Sequence, residues 1–300
     1  MISVCVPVYN FNISSLIVEL KRQIDLVNPK IQIIVIDDGS NHFKGENKKC
    51  IEGIDYIELA ENVGRAKIRN LFLNHAKHNF LLFLDCDGII EQDNFLENYM
   101  EILNENPNVV CGGRVYPKKQ PSGNKLLSWK YGVFRESKSA NERRKTPNES
   151  FMTNNFLIKR SVLEKIKFDN RLSGYGHEDT MFGFELKMNE IAIKHIENPI
   201  LNGDIEENDV FLRKTEHAIQ NLVRLKRFLK DNQQFIKSVK LLNFYNKTKR
   251  FHHLILFVNF LFGRLNFSLL KKGVFTLKMF DFYKLVKLIQ IEKKSSLHQK

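Results

Sequence analysis

Short apolar runs alternate with longer mixed segments through the first 120 residues. Residues 2–7 (ISVCVP) form one such run, which Pro7 closes. Over residues 14–26, Leu16, Ile17, Leu20 and Ile24 recur at helical spacing. Residues 31–36 (IQIIVI) are rich in β-branched side chains and run straight into Asp37-Asp38-Gly39-Ser40. Residues 54–59 read as another strand, 65–76 as a helix opening after Gly64, and 80–84 (FLLFL) as a fully buried strand. A helix over 93–104 and a strand over 109–116 complete the series. Continuous apolar strands separated by helices specify a parallel sheet covered on both faces. Ligands of such sheets bind beyond the carboxyl ends of the strands. The polar motifs fall at those ends: Tyr9-Asn10, Asp37-Asp38-Gly39-Ser40, Asn62-Val63-Gly64-Arg65 and Asp85-Cys86-Asp87.

The pattern then changes. Residues 117–150 are polar and irregular, which predicts a functional loop region with one short helix. Regular structure resumes over 156–166. Gly174-Tyr175-Gly176-His177 reads as a turn, 178–188 as a helix opening with two acids, and 191–196 as a short strand. From Val210 the spacing is helical, with Leu212, Thr215, Ile219, Leu222 and Leu225 near one face, and it stays so to about Ile291.

Charge sharpens this division. The formal net charge is +13, but residues 211–300 hold 20 Lys+Arg against 4 Asp+Glu, leaving 27 against 30 in residues 1–210. A boundary near residue 210 follows, with an α/β domain over 1–210 and a basic helical extension over 211–300. A basic segment implies an anionic partner. The run over 254–262 is interrupted by Asn259 and followed by Arg264, so it reads as too short for the about 20 residues that span a bilayer. Residues 1–10 look like a buried strand without a basic flank, so no secretory signal is expected. Cys5, Cys50, Cys86 and Cys111 are scattered, which fits reduced thiols and argues against a disulfide scaffold or a zinc site.

Asp85-x-Asp87, at the end of an apolar strand, carries the most chemistry. Alternate residues at a frayed strand end reach one site, and two carboxylates suit Mg²⁺ or Mn²⁺ with room left for a diphosphate. A plain turn accounts for the same residues, and Cys86 reads as a small packed side chain. One carboxylate of Asp37-Asp38 suits a base imide or a ribose hydroxyl; an Asx turn is the alternative. Arg65 and Arg69, on the first turns of a helix, suit a phosphate or a base, or a solvated face. Tyr9 offers a ring for stacking. Glu178-Asp179 suits either a general base for an acceptor hydroxyl or an ordinary acidic helix start.

Together, Pro7-Val8-Tyr9-Asn10, Asp37-Asp38-Gly39-Ser40, Asn62-x-Gly64 with Arg69-Asn70, Asp85-x-Asp87 and Gly174-Tyr175-Gly176-His177-Glu178-Asp179 resemble the family 2 glycosyltransferases of the GT-A fold. With Phe151-Met152-Thr153-Asn154-Asn155-Phe156, the likeness extends to bacterial polysaccharide-building members, over about residues 1–205. The resemblance implies a Rossmann-type, mostly parallel α/β sheet with helices on both faces, a nucleotide-sugar donor and a divalent metal. It also implies inversion at the anomeric carbon. Pro7 and Tyr9 would then border the donor, Asp38 would bind the uracil imide, and Arg65 and Arg69 would lie near the base or diphosphate. Asp85 would contact ribose or donor sugar, Asp87 would ligate the metal, and Asn154 or Asn155 would line the donor-sugar pocket. Asp179 would be the base and Glu178 would orient a substrate. Asn202 stands where many relatives place a metal-binding His, with Asp204 or His195 as substitutes.

Two other readings compete. A nucleotidyltransferase would carry a Gly-rich loop after the first strand, where this chain has Val8-Tyr9-Asn10-Phe11. A nucleic-acid-binding protein would use the basic tail, which lacks aromatic–basic recognition motifs. The expected partners are therefore a nucleotide sugar, a glycan or lipid-linked acceptor and an anionic membrane surface, and not nucleic acid. The expected location is cytoplasmic, at the inner face of the cell membrane.

Overall fold

The computed structural model describes residues 1–27, 30–172 and 174–297, with side chains to residue 294. It divides into two compact units. The first comprises Met1–Pro117, Glu136–Ser173 and Glu178–Asp204; the second comprises Lys118–Arg135, Gly174–His177 and the chain from Ile205 onward.

The first unit runs β1 (Ile2–Val8), α1 (Ser14–Val27), β2 (Gln32–Asp37), α2 (Lys44–Lys48), β3 (Asp55–Glu58), α3 (Arg65–Leu71), β4 (Phe80–Leu84), β5 (Gly88–Ile89), α4 (Phe95–Ile102), β6 (Val109–Cys111) and β7 (Arg114–Val115). The chain continues through α5 (Leu126–Tyr131), α6 (Ala140–Arg144), β8 (Asn155–Lys159), α7 (Arg160–Lys165), α8 (Glu178–Met188), β9 (Ile193–His195) and β10 (Ile200–Asn202). Of these, α5 belongs to the second unit. Seven strands form one sheet in the order β3-β2-β1-β4-β8-β6-β9. All neighbours are parallel except β8, which runs antiparallel to both β4 and β6. The expectation of a parallel sheet thus holds with one reversed strand.

Period-two alternation splits the strand side chains between two buried faces. Val4, Val6, Leu82 and Leu84 pack with Leu16, Ile17 and Leu20 of α1 and with Phe95, Leu96 and Tyr99 of α4. Cys5, Ile34, Ile36, Leu81 and Phe83 pack with Ala66 and Ile68 of α3 and with Phe156, Phe168 and Phe182. Phe83 stacks on Phe156 with centroids 4.9 Å apart, and Phe168 on Phe182 at 4.1 Å.

Several boundaries differ from those read off the pattern. The helices over 65–76 and 93–104 end early and finish in 3₁₀ turns, Phe72–Asn74 and Leu103–Glu105. The strand over 109–116 breaks in two at Gly112-Gly113. Gly113 has φ +100°, and a Cβ there would lie 2.6 Å from the Arg143 guanidinium. The region 117–150 holds α5, a π-helical turn Gly132–Glu136 and α6, whose start is fixed by a Ser139/Glu142 capping box. The fragment β7 joins a second sheet, β5-β10-β7.

The second unit adds α9 (Asn208–Phe228), α10 (Gln233–Ser238), α11 (Lys240–Lys247), α12 (His252–Lys272) and α13 (Leu277–Leu297). Leu127, Leu212, Leu270, Phe280 and Tyr283 form one of its buried clusters, with Tyr131, Phe211 and Phe275 against them. Here one expectation is corrected. Asn259 and Arg264 do not end the apolar segment, because a helix carries isolated polar residues without interruption. The stretch Lys249–Lys272 is 24 residues long and contains an 18-residue window of mean hydropathy 1.5, enough by length and composition to cross a membrane.

Arg143 secures the first unit. It is 2% exposed and donates to the carbonyls of Lys138, Cys111, Gly112 and Ile196 at 2.7–3.2 Å. Its Nη1 also meets His195 Nδ1 at 3.0 Å, and His195 Nε2 lies 3.0 Å from the Pro147 carbonyl. A neutral imidazole accepting from Arg143 and donating to Pro147 satisfies both contacts. Burial lowers the His195 pKa to about 4, which agrees with that form. Arg143→Lys keeps the charge but lacks the planar fork, so buried carbonyls lose their donors. Stability should fall by about 2–4 kcal/mol. Urea unfolding checks this as a lower midpoint at unchanged slope; an unchanged midpoint would refute the role.

Candidate active site

The loops that leave β1, β2 and β3 are laced together. The Asn10 backbone N–H donates to Ser40 Oγ at 2.8 Å, and Asn10 Oδ1 accepts from the backbone of Asn41 and His42. Asp37, at the end of β2, accepts from the Ser40 backbone and the Tyr56 hydroxyl. Asp38 reaches across to the next motif: its two oxygens accept from the backbone N–H groups of Val63 at 2.7 Å and Gly64 at 3.1 Å. Burial raises the Asp38 pKa, against the pull of those two hydrogen bonds. Gly39, at φ +70°, permits the approach, since a Cβ would lie 2.6 Å from the Glu61 backbone. Pro7 is half-buried near the end of β1, and Tyr9, just beyond it, is 48% exposed.

Asp85 and Asp87 follow β4 and differ sharply. Arg69 donates to Asp85 Oδ1 at 2.8 Å, and Arg114 lies 3.8 Å from Oδ2. Burial works to raise the Asp85 carboxyl, but Arg69, Arg65 and Arg114 outweigh it and hold the group below the usual range. Asp87 moves the other way. Burial and the neighbouring Asp85 charge raise its pKa, with Arg114 and Arg65 opposing. Among the described residues the Asp87 carboxylate makes no ion pair. Cys86 between them is pushed to about 12 by burial and by both acids, so its thiol stays protonated.

Arg69, expected against the base or diphosphate, is instead 2% exposed and packs over the Phe168 ring at 5.8 Å. It acts on the site through Asp85. The more exposed Arg65 lies 3.5 Å from Glu178. Asn154 adjoins β4, its carbonyl accepting from the Asp85 backbone at 3.0 Å, and among the described residues both polar atoms of its buried amide lack a partner. An orphaned buried amide is costly unless a ligand meets it. Asn155 does not share this setting. Its amide accepts from Tyr99 and donates to the carbonyls of Gly113 and Asn198, so it is spent on the core.

The small sheet brings in the remaining groups. Asn202 of β10 pairs with Gly88 of β5, and the Gly203 backbone donates to the Asp87 carbonyl at 3.0 Å. The Asn202 amide donates to the Asp204 carbonyl, and the Asp204 side chain is exposed. His195 is excluded as a substitute ligand, because both of its ring nitrogens are taken by Arg143 and Pro147. On the other side of β10, β7 carries Arg114, which the sequence reading missed. Arg114 lies 3.4 Å from Glu136, which accepts from the Tyr116 hydroxyl in a short hydrogen bond. Glu136 in turn acts on Asp179. Burial is the main cause that raises Asp179 to about 6, followed by the charges of Glu178 and Glu136. Asp179 also accepts from the Thr180 backbone at 2.6 Å. Arg114, Tyr116 and Glu136 carried no signal in sequence, since single residues in an irregular region match no spacing rule.

Residues 3–167 match the family described as Glycosyl transferase family 2. The chain is 36% identical over 115 residues to Glycosyltransferase GlyA of Streptococcus pneumoniae, a match covering 37% of this chain and 16% of that protein. It is 27% identical over 203 residues to a Chondroitin synthase of Pasteurella multocida, covering 54% and 20%. The matched stretch therefore spans a fifth or less of these curated relatives. S. aureus TarS 1-349 in complex with UDP-GlcNAc superposes with a TM-score of 0.53 at 18% identity, over 99% of this chain and 92% of that one. Mannosyltransferase PcManGT from Pyrobaculum calidifontis, in complex with GDP-Man and Mn²⁺, gives 0.52 at 17% identity over 75% and 64%. At these identities the structural likeness establishes the fold, mixed α/β of the GT-A kind. The family match covers more than half of the chain: this protein belongs to the family 2 glycosyltransferases.

Proposed function

We propose that this chain transfers a sugar, with inversion, from a nucleotide-diphosphate donor of the UDP class to a hydroxyl of a growing glycan or lipid-linked acceptor. One observation carries the reading. The acids at the end of β4 and those at the start of α8 belong to one cluster in which five carboxyls face three arginines, joined by Arg65 to Glu178 and through Arg114 and Glu136 to Asp179. Relatives named glycosyltransferase and chondroitin synthase, and neighbours solved with nucleotide sugars, support it. An acceptor assembled on a lipid places the work at the anionic cytoplasmic face of the membrane.

The donor set fits a hard divalent cation. Mg²⁺ and Mn²⁺ take one or two carboxylates and complete their shell with water and phosphate. Asp87, a half-buried carboxylate without an ion pair among the described residues, would hold it, next to Asp85 and Asn202. Bound there, the cation would neutralise charge on the departing diphosphate. The protein's own groups do the rest. Asp38, fixed by Val63 and Gly64, keeps further lone pairs for a base imide. Pro7 and Tyr9 border the same end of β1. Arg65 and Arg114 offset phosphate charge. The Asn154 amide offers its unused donors and acceptor to sugar hydroxyls. Asp179 takes the acceptor proton as the acceptor oxygen bonds to the anomeric carbon and the bond to the diphosphate breaks. Glu178, held by Arg65, orients substrate.

Two outcomes test this. Asp87→Asn should cut transfer by about 10²-fold or more, and chelation of divalent metal should do the same to the parent. The raised Asp87 pKa means that ionisation opposes folding, so at neutral pH the metal-free variant should melt at or above the parent temperature. Activity in a chelator, or a large drop in melting temperature, would contradict the assignment. Asp179→Asn should lower turnover by about 10²–10⁴-fold while donor binding persists. A base raised to about 6 is protonated below that pH, so parent activity should fall tenfold per pH unit on the acid side of 6. The variant's residual rate should lack that limb, which a pH profile of donor consumption reads directly.

A further inference from the structure

Helix α12 is the least covered part of the second unit. Only His252 and Leu270 of its 21 residues are buried. Leu254, Phe257, Phe260, Leu261, Phe262 and Leu265 are all exposed, Phe260 at 81%. Six large apolar side chains on one helix exceed the scattered exposure normal for a soluble surface. Along the chain the charge around them has one sign, and only Lys271 among the flanking cations is paired with an acid among the described residues, Asp209 of α9 at 2.9 Å. Residues 232–280 contain nine Lys or Arg and no Asp or Glu. Lys249 and Arg250 precede the helix, Lys271 and Lys272 close it, and Arg264 is exposed within it.

We infer that α12 docks in the plane of an anionic lipid surface, its aromatic and leucine side chains in the acyl boundary and its flanking cations among the headgroups. An apolar face framed by cations and free of acids is complementary to such a surface. At about 1.5 Å per residue the helix is about 31 Å long, close to the bilayer core, but its packing argues against a spanning pose. Phe267 stacks on Tyr283 of α13 at 6.0 Å, and Asn266 donates to the Met279 carbonyl. The same α13 carries Lys287, paired with Glu216 of α9 at 2.7 Å, and Asp281, paired with Arg135 at 2.8 Å. Spanning would carry these ion pairs into hydrocarbon or strip α13 from α12. Lying flat satisfies both faces, and the long Arg264 side chain reaches the headgroups.

The assignment rests on the peripheral placement proposed above and names the element responsible. The test is flotation of the full chain, without donor, on vesicles of phosphatidylcholine alone or mixed with phosphatidylglycerol. The chain should float with the mixed vesicles, and binding should weaken as salt rises. Phe260→Ser with Leu261→Ser should lower the partition coefficient by about 10²-fold, and Lys249→Gln with Lys272→Gln should weaken the dependence on anionic lipid. Because these side chains are exposed, melting temperature and donor hydrolysis should match the parent. If the serine variant binds like the parent, another surface makes the contact; the placement stands and the α12 assignment falls. If the parent binds no vesicle, both fall. A parent that is dimeric without lipid, and that the serine variant converts to a non-binding monomer, would overturn the inference in favour of a second copy of the chain.

Discussion

The ion pair between Arg69 and Asp85 is the interaction on which the site depends. Asp85 follows a strand whose five residues are all buried. A carboxylate there keeps its charge only if the protein replaces the water it lost. Arg69 does so at 2.8 Å, itself immobilised by the Arg65 carbonyl and the Phe168 ring. Burial, and then the charge of the ionised Asp85, raise the pKa of Asp87. Two acids two residues apart thus acquire different characters from their surroundings alone. One is neutralised within the protein; the other retains a demand for a cation.

The same division recurs at the start of α8. Glu178 is answered by Arg65, while Asp179 is raised to about 6 by burial and then by the charges of Glu178 and Glu136. A carboxyl poised near neutral pH is a better proton acceptor than one at its ordinary value. Geometry sets this up at a distance. The Gly112-Gly113 break, wrapped by Arg143, ends β6 and releases β7 to pair with β10. That pairing brings Arg114 to Asp85 and to Glu136. A buried arginine that hydrogen-bonds to carbonyls and a neutral histidine therefore controls where another arginine meets Asp85 and Glu136.

The second unit solves a different problem. Its buried apolar groups come from α5 and from α9 to α13, yet most of α12 is left uncovered. Apolar surface without a protein partner is stable only if something else removes it from water. The absence of acids over 49 consecutive residues selects the sign of whatever does so.

Local pattern was sufficient for everything governed by nearby residues. The β4 strand and the α8 helix fall where periodicity puts them, and the acids at strand ends are where a doubly covered sheet must place ligand-facing groups. The family likeness was legible for the same reason, because each motif is a short local turn. Features set by pairing across the chain were not legible. The reversal of β8, the division of the 109–116 strand, the burial of Arg69 and the diversion of Asn155 into the core all depend on contacts between residues far apart in sequence. Arg114 and Glu136 join the site through a strand pairing that no spacing announces. The α12 helix outlasts its apolar run because helical hydrogen bonding tolerates isolated polar residues, and its exposure follows from which faces α9 and α13 leave uncovered.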